Sequence, residues 1–144
     1  MVKSLLLNDH AKEANCLDRG AGKDNVEAEL ARVKDRLANL ATFDVVVLGM
    51  GEDAHTASLF PCSIELGEGL TTDQTALMTR PTSAPHLRLS LSKSRLINTR
   101  MGVIHIVGMS KRTVFDSATQ YADDDIHPIS HFAHRDQFAL WFAP

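Results

Sequence analysis

The sequence is poor in cysteine, in aromatic residues and in net charge, and it holds no long apolar run. Only Cys16 and Cys62 occur in 144 residues. That fits neither a disulfide framework nor a zinc-ligand spacing, so a reducing cytoplasm is the expected compartment. A net charge of −3 argues against a nucleic-acid partner held by bulk charge, and any anionic ligand must be met by local positive groups. No stretch approaches the roughly 18 apolar residues of a membrane span. The opening MVKSLLLNDHAKEAN has a run of only three leucines, without the apolar core of a secretory signal. Neither internal repeats nor low-complexity segments occur. What is present is ordinary for a globular chain, 44% hydrophobic and 23% charged, and the length suits one domain over 1–144.

Val26, Leu30, Val33, Leu37 and Leu40 recur at helical spacing and predict a helix opened by Asp24 or Asn25. Phe43–Gly49, FDVVVLG, lacks polar alternation and predicts a central parallel strand covered on both faces. Leu87–Leu91 and Met101–Val107 predict two further strands, the second followed by a helical SKRTVFDSATQ. The aromatic tail DQFALWFAP is expected to be a short helix docked on the core. Strands alternating with helices imply an α/β fold with an open, largely parallel sheet and helices on both faces. Gly20-Ala21-Gly22-Lys23 has neither the spacing nor the preceding strand of a phosphate-binding P-loop.

The chemistry concentrates in Leu48-Gly49-Met50-Gly51-Glu52-Asp53-Ala54-His55-Thr56-Ala57-Ser58-Leu59-Phe60-Pro61. A strand delivers a Gly-x-Gly turn at its carboxyl end, where open α/β sheets bind ligands. Glycines there allow close approach and positive φ. His55 is then placed to titrate against a substrate, with Asp53 near enough to fix its tautomer. Elsewhere, His127, His131 and His134 have a metal-like spacing without an obvious completing ligand. His105 reads as a satisfied core or interface histidine, and His86 lies beside Arg88. Ser58 sits in no nucleophile elbow. Lys93, Arg95, Arg100 and Arg112 read as a solvated face, and Asp123-Asp124-Asp125 as a loop or cap.

As a whole string, GMGEDAHTASLFP resembles the signature of the 6-phosphogluconolactonases, and the likeness continues through DVVVLG, Arg88–Leu91, the segment ending Val107-Gly108-x-x-Lys111, and the Trp141-containing tail. The resemblance implies an incomplete Rossmann-like domain that hydrolyses 6-phosphogluconolactone to 6-phosphogluconate in the pentose phosphate pathway, with no cofactor and no metal. It implies His55 as general base, Asp53 as its neighbouring acid, Gly49 and Gly51 as turn glycines, and Arg88 and Lys111 facing the sugar phosphate. Such chemistry suits these residue types, because a lactone carbonyl needs only an activated water. Backbone N–H groups of the Gly49–Gly51 turn are candidates for steadying the oxyanion. Glucosamine-6-phosphate deaminases share the fold, but TASLFP favours the lactonase.

Two departures from the family pattern stand out. Ala54 occupies a position usually held by glycine, which matters only if φ there is positive. The resemblance also begins beyond the family's glycine-rich phosphate loop, so the chain is expected to lack that N-terminal portion. The DVVVLG strand would then be an edge, inviting self-association through Val45–Leu48. A non-catalytic remnant that binds sugar phosphate weakly, or only associates with itself, is the alternative reading.

Overall fold

The computed structural model describes residues 5, 7–17, 25–83 and 86–144. The Gly20–Lys23 segment and Asp24 lie outside them. Helix α1, Val26–Ala38, opens on Asn25, whose side chain accepts the Ala28 N–H at 2.9 Å. It buries Val33 and Leu37 on one stripe and stops before the exposed Leu40. Strand β1, Phe43–Leu48, follows, then helix α2, Leu66–Thr71, and strands β2, Ala76–Thr79, and β3, Arg88–Leu91. Helix α3, Lys93–Ile97, leads into β4, Thr99–Val107, and α4, Met109–Ala118. The short α5, Ser130–Ala133, precedes β5, Phe138–Ala143.

The main sheet is parallel in the order β1-β4-β5, with Leu48 beside Ile104 and Ile104 beside Leu140, and helices flank it. A separate antiparallel pair joins β2 to β3. Val46, Leu48, Ile104, Ile106 and Phe138 meet Leu59, Leu70, Phe115, Ile129 and Phe132 in the larger core. A smaller cluster packs Val33 and Leu37 of α1 on Ala76.

Three expectations change. The tail is a strand: Phe138 is buried while Ala139 and Trp141 are exposed, a period of two that pairing with β4 enforces. β1 is covered on one face only, for Val46 and Leu48 are buried while Val45 and Val47 are 55% and 65% exposed. Among the described residues β1 pairs with β4 alone, so it is an edge. Arg95 is buried rather than solvated. Its guanidinium lies 3.9 Å from the Phe43 ring centroid and donates to the Ala41 carbonyl at 2.8 Å.

The three histidines near the C-terminus each have other partners. His131, only 3% exposed, lies between Asp123 and Asp125, 3.0 Å from each. His127 pairs with Asp124 at 2.7 Å, and His134 donates to the Thr119 carbonyl at 2.9 Å. The aspartate run is thus a clamp on its own loop. Arg135 completes it by pairing with Asp123 at 2.7 Å.

Candidate active site

β1 ends at Leu48, and the chain then folds through turns from Gly49 to Pro61 rather than entering a helix. Several hydrogen bonds hold these turns. Thr56 Oγ1 donates to the Gly49 carbonyl at 2.8 Å, and the Gly51 N–H donates to the His55 carbonyl at 2.9 Å. The Ile129 N–H donates to the Ala54 carbonyl at 3.1 Å, tying the turns to the loop before α5.

The positive φ angles fall on alanines. Ala54 has φ +61° and Ala57 φ +51°, whereas neither Gly49 nor Gly51 has a positive φ. A left-handed alanine costs about 1–2 kcal/mol, which the surrounding hydrogen bonds must offset. Gly51 is needed for another reason, since a Cβ there would overlap the His55 ring and stand 2.6 Å from Asp53 Oδ1. Ala54 is fully buried, so a β-branched side chain in its left-handed backbone has no space to enter. Ala54→Val is expected to cost on the order of 3 kcal/mol, strain and overpacking combined. In a thermal melt that is a Tm lower by roughly 10 °C.

His55 and Asp53 form the pair the sequence suggested. Nδ1 lies 2.5 Å from Asp53 Oδ1, and the His55 N–H donates to the same oxygen at 3.2 Å. Burial works to raise the Asp53 carboxyl, but the hydrogen bonds from the His55 ring and backbone outweigh it and hold the group below its ordinary value. The ionised carboxylate can only accept, so Nδ1 carries the proton in this contact. The pair's contribution to folding is therefore complete above the ordinary aspartate range and disappears as pH falls through the lowered value.

Phe60 stacks on the imidazole at 3.9 Å between centroids, with 22° between planes. Arg88 lies 5.4 Å from the same Phe60 ring, and its Nε is buried without a hydrogen-bond partner. Lys111, in the first turn of α4, donates to the Met50 carbonyl at 2.7 Å. His55, Lys111 and the Gly49–Gly51 turn line one cleft of about 530 Å³ at the carboxyl ends of β1 and β4. Asp53 faces a second cleft, with Glu52 and His127.

This arrangement places an imidazole, the carboxylate paired with it and an ammonium at the switch from strand to turn. Residues 1–141 match the family model described as glucosamine-6-phosphate isomerases/6-phosphogluconolactonase. The chain belongs to that family. Among its relatives, the 6-phosphogluconolactonase of Pseudomonas putida is 33% identical over 96% of this chain and 58% of its own length. That of Rhizobium meliloti is 35% identical over all of this chain and 64% of its own. The crystal structure of a 6-phosphogluconolactonase from Shewanella baltica superposes with a TM-score of 0.91 at 38% identity, over 99% of this chain and 63% of that one. The chain thus spans about three-fifths of the length of these relatives.

Within this lactonase-type fold the structure brings His55, Asp53, Gly49, Gly51 and Lys111 together and leaves Arg88 one aromatic ring away. It removes the Gly51 N–H from the oxyanion candidates, because the His55 carbonyl already occupies it. His86 is exposed, and Ser58 uses its N–H on Ser90 Oγ at 3.1 Å. His105 departs furthest from expectation: it is exposed, outside the core, and lines the same cleft as His55. Phe60 went unremarked in the sequence, although its place in the recognisable string was the available signal. No described helix is long and apolar enough to cross a membrane.

Proposed function

We propose that this chain hydrolyses a sugar-phosphate δ-lactone, 6-phosphogluconolactone, to the open-chain acid. The observation that carries the reading is the His55–Asp53 pair on the cleft that Lys111 also lines, in a chain whose relatives bear the lactonase name. His55 Nε2 takes a proton from water as it attacks the carbonyl carbon. It returns that proton to the ring oxygen as the C–O bond breaks, a general base acting as acid on the second step. Asp53 keeps Nδ1 protonated and offsets the transient imidazolium charge. Lys111 retains two N–H donors beyond the one on Met50, and Arg88 has an unpartnered Nε. Both suit a phosphate. The test is lactone hydrolysis above the spontaneous rate, with a His55 variant alongside. A deaminase reading would instead require release of ammonia from an amino-sugar phosphate in the same assay series.

Self-association through β1 belongs to the same proposal. Val45 and Val47 are exposed on a strand that, among the described residues, pairs along one edge only. An apolar groove of about 480 Å³, lined by Leu17, Val33 and Leu89 among others, runs along it. Such an edge is a template for another strand. Sedimentation velocity is expected to show a concentration-dependent shift to larger species, reduced by Val47→Lys; a single monomeric boundary at every concentration would contradict it.

A further inference from the structure

We infer that His105 is a binding residue for the anionic group of the substrate, acting with Lys111. The inference rests on the lactonase reading for the identity of that substrate, but its geometry is independent of it. β1 and β4 run parallel with Val45 beside Met101 and Leu48 beside Ile104, so continuing the register sets Gly49 beside His105. Side chains alternate across a strand. His105 therefore leaves the face opposite the buried Ile104 and Ile106, on the side where Val107 is also exposed. Its strand neighbour Gly49 has no side chain to cover it, and a Cβ built there meets nothing within 4 Å. The neighbour of His105 on the other side is Trp141 of β5, itself exposed.

Lys111 reaches this floor from the other direction. Its ammonium is fixed on the carbonyl of Met50, the residue after Gly49. Among the described residues lining the cleft, the titratable groups are His55, His105 and Lys111, and no carboxylate is present. Asp53 bonds to His55 and opens to the other cleft, so the His105 ring has no anion of its own within this one. An imidazole N–H that lines the same cleft as a fixed ammonium, with no carboxylate among the described lining residues, is suited to receive an oxyanion. A bound phosphate would accept a hydrogen bond from the His105 ring N–H. Substrate binding is then shared between the Lys111 ammonium and the His105 ring.

Two readouts on the whole chain test this. The first follows the His105 ring Cε1–H resonance by NMR during titration with inorganic phosphate, with assignment from His105→Gln. The resonance is expected to shift saturably as phosphate is added. A resonance unmoved by phosphate overturns the proposal, whatever the kinetics. The second compares wild type and His105→Gln in lactone hydrolysis. KM is expected to rise roughly tenfold with kcat within about twofold, the loss of one hydrogen bond to a charged group. An unchanged KM overturns the substrate role, and so does an effect confined to kcat. If the wild type shows no hydrolysis, the lactonase reading fails, and the phosphate titration alone decides whether His105 binds an anion.

Discussion

Replacing His55 by glutamine is expected to lower lactone hydrolysis by about a thousandfold, within the range a positioned general base contributes. Glutamine keeps a planar polar group on Phe60, which otherwise stacks on the imidazole at 3.9 Å. It has no basic nitrogen. The loss should fall on kcat, with KM changed only a few-fold, because proton transfer is made in the transition state and phosphate binding is left to other groups. The variant should stay folded, since His55 and Asp53 side chains remain 29% and 42% exposed and neither anchors the core. Equal rates for His55→Gln and wild type, measured on the same lactone preparation, would remove the imidazole from the chemistry.

A single methyl group at Gly51 is expected to cost about a tenth of that factor. Its Cβ would overlap the His55 ring and press on Asp53, and the imidazole is held between that carboxylate and Phe60 with no slack. Either the ring leaves the stack or the Nδ1–Oδ1 bond lengthens, and a displacement near 1 Å costs roughly a hundredfold in rate. The backbone itself is not at fault, because Gly51 does not have positive φ. Gly51→Ala should therefore melt close to wild type while hydrolysing the lactone about a hundredfold more slowly. Gly67→Ala in α2, where a Cβ meets nothing, serves as the control and should be silent in both assays. Full activity in Gly51→Ala would mean that the ring need not sit where the structure has it.

The α/β frame and the contact between His55 and Asp53 were both legible in the sequence. His55 and Asp53 were legible because they lie two residues apart in a turn after an apolar strand, so their meeting is local. Lys111 meets the Met50 carbonyl across 61 positions, and only the family resemblance pointed there. Phe138 to Phe142 misled because a short aromatic run fits either period, and only pairing with β4 selects the strand. His105 misled for a related reason. Apolar neighbours on either side suggested a buried residue, yet those neighbours, Ile104 and Ile106, alternate away from it into the core. Gly49 and Gly51 were read as carriers of positive φ, whereas Ala54 and Ala57 take that role. Hydrogen bonds from Ile129 and within the turns sustain those angles, and composition alone does not reveal them. Arg95 was assigned to water by its charge, but Phe43 and the Ala41 carbonyl receive it inside.

The measurement that bears most directly on this account is hydrolysis of 6-phosphogluconolactone by the purified chain. It is followed against the spontaneous rate, with His55→Gln measured on the same lactone preparation. The expected result is a rate above background that falls to background in His55→Gln. A rate equal to background throughout would contradict it, as would a rate that His55→Gln leaves intact.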